Sequence, residues 1–217
     1  MAGFVMNKAS KFIALFAALL ALSACGGGAP GEQGAAAQKG DLDGARIGAP
    51  FTLIDQDGKT VHWDDFKGKY RLVYFGYTYC PDVCPLDLRN IMAGFRQLEK
   101  SDPAKAAKIQ PIMISVDPTR DTPAVMKSYV AAFHPRLIGL TGPVDDIEKV
   151  KKAFVVVANK EGDQKATQDY LVSHTRTPFF FDPDGKPIAL VPIDEGSGQS
   201  EAQSAAAVHD FLAKWVK

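Results

Sequence analysis

Two cysteines four residues apart, Cys80 and Cys84 in YRLVYFGYTYCPDVCPLDLR (70–89), are the side chains best able to do chemistry in this 217-residue chain. Thiols act as nucleophiles, form disulfides and, as thiolates, bind soft metals. The pair therefore admits a structural disulfide, a redox dithiol, or two ligands for Cu(I) or Zn(II) completed by a third from elsewhere. Spacing alone does not choose. A bridge across so short a loop constrains the unfolded chain little, which argues for a functional pair over a structural one. The Cα atoms of residues i and i+4 fall within bridging distance after slight relaxation of the loop, so a reversible, redox-active Cys80–Cys84 disulfide is expected.

The elements that must position these thiols are legible on both sides. Tyr70 to Phe75 is rich in β-branched and aromatic residues and short enough for a buried strand, while Leu86, Leu88, Ile91, Met92, Phe95 and Leu98 recur at helical spacing. A strand thus feeds a helix through the cysteine loop, which Pro81 and Pro85 stiffen. Backbone N–H groups at the helix start are expected to lower the pKa of both thiols. Ile109 to Val116 reads as a second buried strand, followed by DPTRDTP. Sites in parallel sheets gather at the carboxyl ends of strands, so Asp117 to Asp121 should neighbour the cysteines.

Residues 1–24 read as a sorting signal: Lys8 and Lys11 precede the apolar run Phe12 to Leu22, which is too short to span a bilayer core of ~30 Å. LSAC, Leu22 to Cys25, resembles a bacterial lipobox, making Cys25 the lipidated first residue of the mature protein and accounting for the odd cysteine. From Gly26 to about Arg46 the chain is Gly-, Ala- and Gln-rich, a flexible tether with a reach of roughly 25 Å. Residues 47–217 then form one globular domain. Formal net charge is zero and no basic run occurs, which gives no support for nucleic-acid binding.

Within that domain, Phe51 to Phe66 alternates about Asp57-Gly58 as a hairpin expected to cap one sheet edge. Thr122-Pro123 starts a helix with Val125, Met126, Tyr129, Val130 and Phe133 on one face. Leu137 to Leu140 is a short strand, and Pro143 opens a helix with Asp145 and Asp146 in its first turn. Phe154 to Ala158 is expected to be a strand and Asn159 to Gln168 a loop or hairpin tip. Thr177 to Phe181 and Ile188 to Val191 flank the turn Asp182-Pro183-Asp184-Gly185, and Ser200 with Gln203 forms a capping box for a last helix facing the core through Val208, Phe211, Leu212 and Trp215. This order predicts an α/β, thioredoxin-like fold, a central mixed sheet flanked by helices with an N-terminal β-hairpin. Of the four histidines, His62, His134 and His209 read as surface or capping residues. His174, in a loop ahead of the TPFFF strand, sits where a thioredoxin-like fold returns over the cysteines, and is the candidate third ligand.

FGYTYCPDVCPLDL, then SVDPTRDTP, then a histidine ahead of FFFDPDG resemble the Sco (SenC/PrrC) family of thioredoxin-like copper proteins over roughly residues 46–217. The resemblance implies copper, as Cu(I) or Cu(II), on Cys80, Cys84 and His174, in a protein lipid-anchored to a membrane of the bacterial cell envelope with its globular domain in the periplasm. It implies a role in assembling the copper centre of cytochrome c oxidase by metal delivery, thiol reduction or both. The partners would be the oxidase's copper-bearing subunit or another copper chaperone. Asp117 and Asp121 carry over as residues that back the ligands or dock a partner. Two thiolates and an imidazole suit copper in both oxidation states, whereas zinc normally takes a fourth ligand.

The chain departs from the family at Ser173, where an acidic residue is frequent, and at Tyr79, where histidine is common. Thr177-Pro178 resembles the cis-proline loop of thioredoxin-type oxidoreductases, which keeps a thiol:disulfide oxidoreductase open. A peroxiredoxin-like peroxidase is disfavoured, since Tyr77 and Pro81 stand where that family has threonine or serine. A structural lipoprotein is the remaining alternative.

Overall fold

The computed structural model describes residues 39–163, 165, 168–194, 196 and 198–217; the expected sorting signal, Cys25 and the tether up to residue 38 lie outside the described residues. In order, the elements are β1 (Thr52–Asp55), β2 (Thr60–His62), a 3-10 turn (Trp63–Phe66), β3 (Tyr70–Gly76), α1 (Val83–Ser101), α2 (Pro103–Ala107), β4 (Ile109–Ser115), α3 (Pro123–Ala131), β5 (Ile138–Thr141), α4 (Val144–Ala153), β6 (Ala158–Lys160), β7 (Val172–His174), β8 (Phe179–Phe181), β9 (Pro187–Leu190) and α5 (Glu201–Trp215). Seven strands make one mixed sheet in the order β2-β1-β5-β4-β3-β8-β9, and β6 with β7 forms a separate two-stranded sheet. The thioredoxin-like arrangement expected from the sequence is present.

The register of the central strands builds the site. β3 and β4 pair in parallel from Tyr70 opposite Ile109 to Gly76 opposite Ser115, so both strands end at one level and release their loops side by side. β8 runs antiparallel to β3, with Val73 opposite Phe179, and therefore enters the sheet from that same end. Every residue of β3 is buried, which matches its continuous apolar reading apart from Arg71. Arg71 is fully buried, lies 4.4 Å over the Trp63 ring and donates to the Asp182 carbonyl at 3.1 Å, tying the DPDG turn to the 3-10 turn. β8 serves both faces by alternation: Phe179 and Phe181 pack on Phe154, while Phe180 stacks on Tyr70 at 5.5 Å and meets Phe211.

Most local expectations hold for identifiable reasons. The Asp57-Gly58 hairpin joins β1 to β2 at the sheet edge, with Gly58 at φ 79°. The Thr122 hydroxyl accepts from Val125 N–H at the start of α3, and Ser200 and Gln203 form the expected reciprocal cap on α5. Two boundaries differ. The packed chain begins before Arg46: buried Leu42 donates to the Ile188 carbonyl at 3.1 Å, and a Cβ at Gly40 would collide with that carbonyl, so residues 40–42 cover the outer edge of β9. The strand expected over Phe154 to Ala158 begins only at Ala158, and Asn159 and Lys160 belong to it. Phe154 instead closes α4, with Val155 in the left-handed region at φ 56° and Val156 N–H reaching back to the Lys151 carbonyl at 2.8 Å. That is the helix-ending turn usually made with glycine. It buries Phe154 completely and leaves Val155 and Val157 at 63% and 60% exposure.

The site-bearing helix α1 packs closely on α5, and Gly94 makes the approach possible: an added methyl would stand 2.6 Å from both the Ala205 carbonyl and the Val208 Cβ. Gly94→Ala gains about 1 kcal/mol of helix propensity but forces the helices apart at a cost of about 1–3 kcal/mol. The expected net result in urea unfolding is destabilisation; a more stable variant would contradict the close packing.

Candidate metal centre

The cysteine loop leaves β3 at Gly76, and the missing side chain there is structural: a Cβ would meet Tyr74 Cε1 at 2.8 Å and Cys84 Sγ at 3.3 Å. The start of α1 lacks the usual polar cap. Asp82 in the capping position makes no side-chain cap bond, and the Cys80 sulfur takes that place by accepting the Cys84 N–H at 3.4 Å. Pro85 adds no donor. The loop is held from the β4 side by Asp121, which is fully buried and accepts from the Thr78 hydroxyl at 2.6 Å, from Thr78 N–H at 3.2 Å and from the Ser115 hydroxyl at 2.6 Å. Burial pushes the Asp121 carboxyl pKa up despite these donors.

His174 arrives on the opposite wall. It is the last residue of β7, opposite Ala158 of β6, and not a loop residue as the sequence suggested. Its Nδ1 lies 2.9 Å from the Thr175 carbonyl, which can only accept, so Nδ1 carries the hydrogen and Nε2 presents a lone pair. That lone pair lies 3.1 Å from Cys84 Sγ. Cys80, Cys84 and His174 are thus brought together as expected. Among the described residues no group of three or more His, Cys, Asp and Glu side chains is arranged as a finished metal shell. These three donors touch one another instead of standing apart around a common point.

The thiols differ, contrary to the expectation that helix-start N–H groups lower both pKa values. Cys80 is half-buried and its pKa falls to about 3, first because the Cys84 thiol hydrogen-bonds to its sulfur and further because the backbone N–H groups of Cys84 and Asp82 donate to it, against the cost of desolvation. Cys84 is fully buried, and its pKa is pushed up, first by the hydrogen bond its thiol makes to the Cys80 sulfur and then by desolvation. Two adjacent thiolates in a buried site repel, so one carries the charge and the other keeps its proton. Both are free thiols in this structure.

A ring of residues, of which the sequence reading assigns a role beside the ligands only to Asp117, fixes the two walls. The Tyr77 and His174 rings stand nearly perpendicular with centres 5.9 Å apart, and the Tyr77 hydroxyl accepts Val172 N–H at 3.1 Å. Asp117, buried, accepts from Arg120 Nε at 2.6 Å and from the Tyr170 hydroxyl at 2.7 Å. Arg120 lies 3.5 Å over the Tyr170 ring and donates to the Gln168 and Tyr170 carbonyls at 2.7 and 2.9 Å. Asp117 and Asp121 therefore reach the donors only through intervening residues, Asp121 through Thr78 and Asp117 through Tyr170. On α1, buried Asp87 accepts from the Tyr74 hydroxyl at 3.0 Å and from Arg176 at 2.7 and 3.1 Å. A usable signal was present for one of them: charged Asp87 interrupts the apolar Pro85-Leu86-Leu88 stretch three residues after Cys84, whereas Arg176 stands among polar residues.

The remaining histidines stand apart. His134, expected at the surface or as a cap, is buried: its Nδ1 accepts Arg136 N–H, its Nε2 faces Glu99 at 3.1 Å, and burial lowers its pKa. His209 bonds Ser101 and His62 bonds Thr52. At ~1.5 Å per residue, Glu99 and Ser101 lie roughly 22 to 26 Å along α1 from Cys84. The Thr177–Pro178 peptide is trans, since no described peptide bond is cis, so the loop before β8 is not a cis-proline loop. What this segment brings to the thiols is the His174 side chain.

The family model described as SCO1/SenC matches residues 39–211, beginning where the packed chain begins. Protein SCO2, mitochondrial, of Saccharomyces cerevisiae is 42% identical over 154 residues, 70% of this chain and 50% of that protein. The chain thus spans about half the length of the first curated relatives it matches. Among solved structures, ScoI of Bradyrhizobium japonicum with copper bound is 39% identical with a TM-score of 0.64, covering 76% of this chain and 99% of that one. BsSco, a member of the Sco family of cytochrome c oxidase assembly proteins in which a disulfide switch was identified, is 25% identical with a TM-score of 0.54, covering 76% and 92%. With the match running from the first packed residues into the last helix, the chain belongs to the SCO1/SenC family.

Proposed function

We propose that this chain is a copper carrier that binds one Cu(I) or Cu(II) ion through Cys80, Cys84 and His174 and serves the assembly of the copper centre of cytochrome c oxidase. The contact of Cys84 Sγ with His174 Nε2, beside the Cys80 thiolate, carries the reading: two sulfurs and an unprotonated imidazole nitrogen converge from two segments about 90 residues apart. The relatives' copper-bound structures and the description of the Sco family as oxidase assembly proteins support it. The chain would act from the bacterial cell envelope, with residues 1–24 removed, Cys25 lipidated and the Gly- and Ala-rich stretch as a leash holding the domain in the periplasm. Among the described residues no helix is long and apolar enough to cross a membrane. The partners on this reading are the oxidase's copper-bearing subunit or another copper chaperone.

The protons follow from the site. Cys80 is already a thiolate, so loading must release one proton, that of Cys84, whose sulfur lies 3.1 Å from His174 Nε2. The free site binds one more proton than the loaded one, so copper affinity should rise about tenfold per pH unit around neutrality; two ordinary thiols would give two protons and about a hundredfold. Calorimetry in buffers of different ionisation enthalpy counts them. Cys80→Ser or Cys84→Ser should abolish tight binding of either oxidation state, whereas His174→Ala should weaken Cu(II) far more than Cu(I), which two thiolates can hold. Wild-type Cu(II) binding in His174→Ala, with loss in His62, His134 or His209 variants, would contradict the assignment.

The unequal thiols favour a second reading, a thiol:disulfide reductant that keeps partner cysteines ready for metal. The accessible Cys80 thiolate attacks a partner disulfide; Cys84, passing its proton to His174 Nε2, attacks the mixed disulfide and releases the partner as a dithiol. Two electrons leave the pair, which becomes the Cys80–Cys84 disulfide. Iodoacetamide should modify Cys80 first, at a rate nearly flat from about pH 5 to 8 because its thiolate is fully formed there. Labelling of Cys84 first, or a tenfold rise per pH unit, would contradict this electrostatic picture, and absence of metal-free disulfide exchange would remove the second reading.

A further inference from the structure

His174 ends a three-residue strand in a sheet of only two strands, an arrangement that is marginal by itself. Its imidazole must be held by contacts on either side. On the β6 side these are Tyr77 to Val172 and Arg120 to Tyr170. On the β8 side Thr175 exchanges hydrogen bonds with Val157 at 2.9 and 3.1 Å, and the tie to the cysteine helix itself runs from Arg176 to Asp87. Asp87 follows Cys84 by three residues on α1, so the two side chains share a helix face, and Arg176 follows His174 by two. The helix and the strand end are thereby joined at two rungs: Cys84 Sγ to His174 Nε2 at 3.1 Å, and Asp87 to Arg176 at 2.7 and 3.1 Å through both carboxylate oxygens. Arg176 Nη2 also donates to the Asp194 carbonyl at 3.1 Å, and Tyr74, whose ring centre lies 6.5 Å from that of His174, donates its hydroxyl to Asp87.

We propose that Arg176 and Asp87 are a positioning pair whose bidentate tie sets the separation of His174 from Cys84 and hence the site's preference for Cu(II) over Cu(I). The inference rests on the copper reading above. A buried ion pair is a poor device for stability alone, since an apolar pair of similar volume often serves as well. A planar fork gripping both carboxylate oxygens, however, fixes distance and angle between two segments. An imidazole placed loosely still leaves two thiolates for Cu(I) but deprives Cu(II) of its nitrogen donor.

The test compares Arg176→Met, Arg176→Lys and the double variant Asp87→Leu/Arg176→Met in the full chain. Cu(I) and Cu(II) affinities, the Cu(II) absorption spectrum, urea stability and the 15N shift of His174 Nε2 without metal are measured for each. Arg176→Met leaves a buried carboxylate unpaired and is expected to lose stability; the double variant removes that charge and should recover it. In the double variant Cu(II) affinity should nevertheless remain about 10- to 100-fold below wild type. Cu(I) should change less than about threefold, and the Nε2 shift should move toward that of an imidazole without a sulfur partner. Arg176→Lys, which keeps the charge without the fork, should fall between. If the double variant matches wild type in Cu(II) affinity, spectrum and Nε2 shift, the pair is structural and the proposal is overturned. Cys84→Ser is run beside it: retained tight copper binding there overturns the copper reading itself, whereas loss there with an unchanged double variant overturns only the positioning role.

Discussion

The site depends on one contact between side chains 90 residues apart, Cys84 Sγ to His174 Nε2. The first lies at the start of a helix and the second at the end of a short strand, so neither local element creates the contact. It follows from the parallel register of β3 with β4 and the antiparallel register of β3 with β8, which deliver three chain segments to one end of the sheet. Gly76 leaves room for the sulfur, Asp121 ties the cysteine loop to β4, and charged clusters on both sides of His174 hold the opposite wall. Remove the register and the donors part, whatever their chemistry.

Placing one charge on two neighbouring thiols explains the site's versatility. The Cys80 sulfur gathers donors from the helix start and from Cys84, so it ionises; Cys84, walled in and beside that charge, keeps its proton, with the imidazole Nε2 3.1 Å from its sulfur. Such a pair suits both proposed chemistries: an exposed thiolate to meet metal or disulfide, and a buried thiol with a base at hand. Metal carriage and thiol reduction thus draw on the same arrangement of protons.

Much of this was legible from sequence because the signals were local. The apolar run Tyr70 to Phe75, the turn residues Asp57-Gly58 and Asp182 to Gly185, the Thr122-Pro123 start and the Ser200 and Gln203 box each act within a few residues, and each element formed where read. The misreadings involve residues whose state is set at a distance. Val155 adopts a backbone that favours glycine because Phe154 must turn into the core. The inequality of the thiols was missed because the helix-start argument treats each sulfur alone, whereas proximity makes them compete for one charge. Arg176 and Asp87 were passed over because they are 89 residues apart, although Asp87 is a charge set in an apolar stretch.

The most direct test of the account is whether one histidine, and His174 in particular, shares a metal with the cysteine pair. Pulsed electron paramagnetic resonance on the Cu(II)-loaded chain, prepared with 14N- and 15N-histidine, reads this through the remote nitrogen of a coordinated imidazole. The account predicts the modulation of a single imidazole that changes with the isotope, accompanied by strong sulfur-to-copper charge-transfer absorption, with the nitrogen signal absent from His174→Ala. Modulation from two imidazoles, or a signal that survives His174→Ala, would contradict it.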